Sequence, residues 1–135
     1  MNARTFVIIK PDAYAAGQVG NVLTRYESAG MRILAMDLRK IEPEFADRHY
    51  SEHVGRDYYP GLRDFMTEGP LVAVVLEGED AVGRVRALNG ATDPAKAAAG
   101  TIRADFAESM GRNAVHASDS QASAEAEIDL WFPVL

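Results

Sequence analysis

The chain has 135 residues and carries 14 lysines and arginines against 20 aspartates and glutamates, a net charge of −6. We expect one domain over residues 1–135 that buries a core without disulfides; the absence of cysteine excludes thiol catalysis and cysteine-ligated zinc. Apolar runs such as Leu71–Leu76 are far shorter than the ~20 residues of a membrane-spanning helix, and no secretory signal is evident. The acidic balance disfavours nucleic-acid binding. We therefore expect a cytoplasmic protein without membrane or nucleic-acid partners.

Hydrophobic patterning predicts alternating strands and helices in the first half of the chain. A continuous β-branched run over Arg4–Lys10 predicts a strand that is covered on both faces. Apolar residues at helical spacing over Val19–Ala29, before Gly30, predict a helix. Alternation over Arg32–Arg39 predicts a second strand, and a short helix is expected over Pro43–His53 because proline suits a first helical turn.

The second half continues this alternation. The predicted elements, in chain order, are a helix over Pro60–Glu68, a buried strand over Leu71–Leu76, a helix over Asp80–Leu88, a long loop over Asn89–Gly100, a short strand over Ala114–His116 and an amphipathic helix over Ser120–Phe132. The order strand, helix, strand, strand, helix, strand is that of the ferredoxin-like sandwich. We therefore predict an α+β fold, βαββαβ with a four-stranded antiparallel sheet and extra helices.

The chain has three histidines, and two of them match a metal-binding pattern. His49 and His53 are the two histidines of an H-x-x-E-H motif, the signature of inverted zinc proteases. On one helix they would share a zinc ion, with Glu52 as the base. A catalytic zinc also needs a third ligand and a substrate cleft, which the sequence does not indicate. Two partly exposed helix histidines are therefore the simpler interpretation, and a zinc peptidase is an alternative.

His116 lies at the end of the predicted fourth strand, just before the last helix. Reactive groups commonly lie where a strand ends before a helix N-terminus. A buried, hydrogen-bonded histidine that caps the strand is the alternative interpretation. The chain has neither a P-loop nor a G-x-G-x-x-G motif. Any nucleotide site must therefore use another architecture.

Four ordered motifs resemble those of the nucleoside diphosphate kinase family. They are Lys10-Pro11-Asp12, Gly90-Ala91-Thr92-Asp93-Pro94, Gly100-Thr101-Ile102-Arg103-Ala104-Asp105-Phe106, and Asn113-x-x-His116-Ala117-Ser118-Asp119-Ser120. The resemblance extends from Arg4 to about Phe132. Because several motifs occur in order at the family's spacing, it is much more specific than the H-x-x-E-H match.

The resemblance implies transfer of the γ-phosphoryl group from nucleoside triphosphates to nucleoside diphosphates, which maintains (deoxy)nucleoside triphosphate pools. The mechanism is ping-pong, with a phosphohistidine at the pros nitrogen of His116. An imidazole has an ordinary pKa of ~6.5 and so offers a lone pair near neutral pH. By the same resemblance Glu127, directly or through Ser118, holds the other side of the ring and fixes its tautomer.

The resemblance also implies the nucleotide contacts. Lys10 and Tyr50 reach the γ-phosphate, and Lys10 with Asn113 holds the ribose hydroxyls. The phosphate-binding set is Arg86, Thr92 and Arg103, in which the guanidinium groups suit phosphate oxygens.

The base is expected to stack on Tyr58, flanked by Leu62 and Met110, an arrangement that tolerates every base. Mg²⁺ is expected on the nucleotide phosphates rather than on protein side chains, because it dehydrates reluctantly; Asp119 is a weak candidate for contact through water. The resemblance further implies a homo-oligomer, a dimer-based tetramer or hexamer.

Three residues depart from the family pattern. Tyr58 stands where phenylalanine is more usual, Ala117 stands where glycine is commoner, and Asn89 is polar where an apolar residue is expected. A ferredoxin-like regulatory or ligand-binding module without catalysis is the main alternative, ahead of the zinc peptidase, since the fold alone permits it.

Overall fold

The computed structural model describes residues 2–135. Its elements, in chain order, are β1 (Asn2–Ile9), α1 (Pro11–Ala15), α2 (Val19–Ser28), β2 (Arg32–Arg39), α3 (Pro43–His49), α4 (Tyr59–Thr67), β3 (Leu71–Glu79), α5 (Ala81–Asn89), a 3₁₀ turn (Pro94–Lys96), α6 (Ile102–Phe106), β4 (Val115–Ala117) and α7 (Gln121–Trp131). The strands pair antiparallel in the order β2-β3-β1-β4, which confirms the ferredoxin-like α+β fold. None of the helices within residues 2–135 combines the length and apolarity of a membrane span.

The central strand β1 divides the core into two layers. Side chains alternate along a strand, so Val7 and Ile9 pack under α2 and α5, whereas Phe6 and Ile8 pack under α3, α4 and α7. All four residues are fully buried. The continuous apolar run predicted a strand covered on both faces, and the structure confirms it.

The predicted helix over Pro43–His53 is too long. Helix α3 ends at His49, and His53 follows in a turn whose backbone N–H donates to the Tyr50 carbonyl. Gly55 in the same segment has φ +93, a conformation that a helix excludes. The two histidines therefore do not lie one turn apart on a helix, and the zinc-peptidase alternative loses the arrangement that it required.

Two short helices, α1 and α6, were not predicted. Each has five residues, too few for apolar periodicity to appear. Pro11 occupies the first turn of α1, and the Thr101 side chain caps α6 by accepting from the Ala104 N–H. Local start signals, rather than hydrophobic pattern, account for both.

Asn89, at the end of α5, is polar because it has a buried partner. Its side-chain oxygen accepts a hydrogen bond of 2.6 Å from the Tyr26 hydroxyl, and both residues are almost fully buried. An apolar residue at this position would leave that hydroxyl unpaired, at a typical cost of about 1–3 kcal/mol. The α2–α5 pair of helices is thus fixed by a polar contact as well as by packing.

Candidate active site

A cavity of about 450 Å³ opens at the end of the sheet where β1 ends and β4 begins. In the antiparallel register of these strands His116 lies opposite Ile8, so both side chains lie on the same face of the sheet, the one that α3 and α7 cover. Val115 and Ala117 point to the other layer. The strand register therefore aims the His116 ring at the cavity and at α7.

Glu127 on α7 meets His116 from the helix side. It lies three residues after Ala124 and four before Trp131, both buried, so it shares the inward face of the helix. Its two carboxylate oxygens lie 3.2 and 3.0 Å from His116 Nε2. Only 17% of the Glu127 side chain is exposed, so the carboxylate belongs to the site and not to the solvent-facing side of the helix.

The Glu127 carboxylate is ionised despite its position. Burial alone raises its pKa, but the hydrogen bond from His116 and a second from the Ser118 hydroxyl outweigh burial and bring the pKa below its usual value. Ser118 is fully buried behind the carboxylate. Because an ionised carboxylate only accepts hydrogen bonds, His116 must carry its proton on Nε2, and Nδ1 keeps a lone pair.

Asp12 holds the segment that leads into β4. Its carboxylate accepts a 3.0 Å hydrogen bond from the backbone N–H of Ala114, and Ala114 has φ +73, which is costly for a residue with a side chain. The backbone N–H of Lys10 donates in turn to the Ala114 carbonyl. Asp12 had no role assigned from the sequence, although its position directly after Lys10-Pro11 was an available signal.

Lys10 and Asn113 meet at the wall of the cavity. Lys10 Nζ donates to Asn113 Oδ1 at 2.8 Å, and both residues are buried and line the cavity. Burial lowers the pKa of Lys10 to about 8, and the positive charge of Arg103 adds to this, whereas Asp12 opposes it. Lys10 is therefore charged at neutral pH, and little water surrounds the ammonium group to screen its charge.

Arg103 and Arg86 supply two further cations. The Arg103 guanidinium donates to three backbone carbonyls, those of Gly90, Asn113 and Val115. Gly90 has φ +87, and a Cβ there would lie 2.6 Å from the Thr101 hydroxyl oxygen, so glycine is required for this close approach. Arg86, on α5, also lines the cavity.

The structure gathers most of the predicted site residues around this cavity. The predicted residues that line it are Lys10, Tyr50, Arg86, Thr92, Arg103, Asn113, His116, Asp119 and Glu127. The three predicted base contacts lie outside it: Tyr58 and Met110 are 56% and 62% exposed, and Leu62 is half-buried. The Tyr58 hydroxyl hydrogen-bonds His53 Nδ1 at 2.6 Å, and His53 lines the cavity.

His49 is a neighbour of His116 that sequence analysis assigned elsewhere. Its side chain is 1% exposed, not partly exposed as expected, and its ring centre lies 5.0 Å from that of His116. The H-x-x-E-H spacing carried no sign of this, because His49 meets His116 through the tertiary fold.

Sequence comparisons connect this geometry to known proteins. Residues 3–134 match the family model "Nucleoside diphosphate kinase". The chain is similar to nucleoside diphosphate kinases from a Nocardioides species, at 58% identity over the whole of both chains, and from Cutibacterium acnes, at 54% identity over 98% of this chain and 96% of the relative.

Solved structures give the same result. The fold matches a nucleoside diphosphate kinase from Aquifex aeolicus with a TM-score of 0.95 and 44% identity, covering 98% of this chain and 96% of that one. It also matches a halophilic nucleoside diphosphate kinase from Halobacterium salinarum, solved in complex with CDP, with a TM-score of 0.94 and 42% identity, covering 98% and 88%.

Proposed function

The chain belongs to the nucleoside diphosphate kinase family, and on that premise we propose that it transfers the γ-phosphoryl group between nucleotides by way of His116. The observation that carries this proposal is the pairing of His116 Nε2 with the ionised Glu127 carboxylate inside a cavity that Lys10, Arg86 and Arg103 line. That pairing leaves Nδ1 as the nucleophile among cations suited to phosphate. A domain that spans residues 1–135 contains all of these groups.

The reaction proceeds in two balanced half-reactions. The Nδ1 lone pair forms a bond to the γ-phosphorus while the bond from phosphorus to the β,γ-bridging oxygen breaks, and the nucleoside diphosphate leaves with those electrons. The imidazole keeps its Nε2 proton and becomes cationic, and Glu127 stabilises that charge. A second nucleoside diphosphate then attacks the phosphorus through its terminal phosphate oxygen, and the Nδ1–P bond breaks. Because one cavity serves donor and acceptor in turn, the kinetics are ping-pong.

The phosphate contacts follow from donors that the fold leaves available. A guanidinium has five N–H donors, and Arg103 uses three of them on backbone carbonyls, which leaves two for phosphate oxygens. Arg86, Thr92 and Tyr50 line the same cavity. Charge spread over three phosphoryl oxygens makes such prepositioned donors the main source of rate acceleration.

Lys10 and Asn113 are placed to bind the ribose. Lys10 has three donors and spends one on Asn113, and Asn113 is anchored by donating to the Thr92 carbonyl at 3.2 Å. Two donors of Lys10 therefore serve the γ-phosphate and a ribose hydroxyl. We propose the exposed ring of Tyr58 as the stacking face for the base, flanked by Leu62 and Met110.

Family members generally use a divalent metal, and we propose Mg²⁺ that enters bound to the nucleotide phosphates. The cluster His49, His116 and Glu127 is rich in nitrogen, whereas Mg²⁺ prefers oxygen ligands. Asp119, the oxygen ligand candidate on the cavity wall, accepts a 2.8 Å hydrogen bond from Ser123 and would touch the ion only through water. When bound, Mg²⁺ neutralises charge on the transferring phosphate.

We also propose a homo-oligomer built on dimers, and the edge strand β2 supports it. Met36 and Leu38 on this strand are 54% and 56% exposed, and an apolar edge strand is one that proteins normally cover. A second copy of the chain, which presents the same apolar edge, would cover it. Dimers of this kind would then assemble into tetramers or hexamers.

The nucleophile is tested by labelling with γ-phosphate-labelled ATP and Mg²⁺. Unmodified protein is expected to take up label that is lost in acid and kept in alkali, the signature of a phosphohistidine. His116→Ala should take up none while it keeps its fold. His53→Ala also removes a histidine of the cavity but keeps His116, and it should still take up label. Label retained by His116→Ala would contradict the assignment, and a protein that never labels would favour a binding module.

Base tolerance is tested at Tyr58. Stacking is worth ~1–3 kcal/mol and barely distinguishes bases, so ATP, GTP, CTP and UTP are expected to differ in kcat/KM by about tenfold, with purines ahead. Tyr58→Phe keeps the ring and should change little, although it removes the hydrogen bond to His53. Tyr58→Ala should weaken all four nucleotides together. Loss of activity toward a single base in Tyr58→Phe would show that the hydroxyl recognises that base instead.

Assembly is tested by light scattering at micromolar concentration. The expected mass is at least twice the 14.7 kDa of the single chain, and Met36→Lys combined with Leu38→Lys should lower it by placing like charges on the shared edge. A mass of one chain for the unmodified protein would refute the proposal. An unchanged mass for the double variant would place the interface on another surface.

A further inference from the structure

His49 is a buried histidine that the reaction described above does not use. It ends α3, and its ring packs against those of Tyr50, His116 and Trp131 at centre-to-centre distances of 4.5, 5.0 and 5.5 Å. Burial lowers the pKa of His49 to about 3, reinforced by the nearby His116 and opposed by Glu127. The ring is therefore neutral, and one of its two nitrogens carries a proton.

Trp131 decides which nitrogen that is. The indole Nε1–H lies 2.9 Å from His49 Nδ1, and an indole nitrogen only donates hydrogen bonds. Nδ1 must therefore be the acceptor, and the proton of the neutral ring lies on Nε2. The hydrogen bond from Trp131 on α7 thus fixes the tautomer of His49 on α3.

The Nε2–H of His49 faces Glu127. The nitrogen lies 3.9 Å from Glu127 Oε2, and with His49 neutral this contact is not an ion pair. Among residues 2–135 this nitrogen is buried and has no hydrogen-bond partner. A buried donor without a partner is unfavourable and calls for an explanation.

The geometry allows one oxygen to serve both histidines. One nitrogen of His49, one of His116 and a Glu127 oxygen all lie within 4.8 Å of one another. Two nitrogens that close can both be ~2.9 Å from a carboxylate oxygen placed between them. Shortening the 3.9 Å separation of His49 Nε2 and Glu127 Oε2 to hydrogen-bond length takes a movement of the Glu127 side chain toward α3 of about 1 Å.

We propose that His49 is a positioning residue, which donates its Nε2–H to Glu127 and so holds the carboxylate against His116 Nε2 while the phosphohistidine forms. The proposal rests on the function proposed above. As His116 becomes cationic, its hydrogen bond to Glu127 strengthens and draws the carboxylate toward that ring. A third donor from α3, in addition to His116 and Ser118, keeps the carboxylate in one orientation. In this role His49 acts through Glu127, 3.9 Å from its Nε2.

A transition metal held by His49, His116 and Glu127 is the competing explanation for this cluster. A neutral histidine that binds a metal through Nε2 carries its proton on Nδ1 and donates it to an acceptor. Here Nδ1 faces the Trp131 N–H, a donor. Metal binding through His49 Nε2 would therefore set two donors against each other, which favours the hydrogen-bonding role.

The first test is nitrogen-15 NMR of the unmodified protein labelled at histidine. His49 is expected to carry its proton on Nε2 and to stay neutral from about pH 8 to pH 5, although Glu127, His116, His53 and Lys10 all lie near enough to affect it. A proton on Nδ1, or protonation of the ring within that range, would overturn the proposal. A shift of the His49 Nε2 signal on addition of micromolar Zn²⁺ would overturn it in favour of the metal.

The second test compares His49→Gln with His49→Met, two side chains of similar length. Glutamine offers an acceptor for Trp131 and an N–H for Glu127, whereas methionine has no N–H. The rate of phosphoenzyme formation in a single turnover should fall ~10–100-fold in His49→Met, as expected for loss of an outer hydrogen-bond partner, with the KM for nucleotide little changed. His49→Gln should stay within about threefold of the unmodified protein.

The outcomes separate this proposal from the function on which it rests. Absence of label in the unmodified protein would refute the function itself. Normal labelling of the unmodified protein, with His49→Met equally fast or His49→Gln equally slow as His49→Met, would refute only the role of His49. Melting temperatures of both variants show whether they fold; should His49→Met not fold, the NMR measurement on the unmodified protein decides.

Discussion

The hydrogen bond between Glu127 and His116 is the interaction on which the rest of the site depends. A carboxylate that is largely buried stays ionised only if several donors compensate for the lost water. Those donors come from the end of β4, where His116 and Ser118 lie, and the helix α7 that carries Glu127 must approach this strand closely. The apolar face of α7 holds the helix there, because Ile128 and Trp131 pack in the same buried layer as Phe6.

The opposite wall of the cavity is governed by a different constraint, the need to hold cations together before any phosphate arrives. Lys10 is fixed by Asn113 and Arg103 by backbone carbonyls, so neither is free to turn toward solvent. Preorganised donors cost little reorganisation during the reaction. The strained backbone at Ala114, which Asp12 holds, is the link that keeps β4 in register with both walls.

Much of the fold could be predicted from the sequence, because a local run of apolar residues is enough to predict a strand such as β1. The position of His116 at a strand end before a helix is also visible locally, but its assignment as the nucleophile came from the family resemblance. Contacts between distant residues could not be predicted from local pattern, and the pairing of His116 with Glu127 was expected only from the family resemblance. Asp12 meets Ala114 across 102 positions and Trp131 meets His49 across 82. The helical spacing assumed for His53 failed because a turn, which hydrophobic pattern does not encode, ends α3 first.

The central claim is that Glu127 keeps the proton on His116 Nε2 and thereby leaves Nδ1 to accept the phosphoryl group. Phosphoenzyme prepared from protein labelled with nitrogen-15 at histidine tests it directly, through the phosphorus–nitrogen coupling that identifies the bonded atom. The phosphorus is expected to couple to Nδ1 of His116 while Nε2 retains its hydrogen. Coupling to Nε2 of His116, or to a nitrogen of His49 or His53, would contradict it.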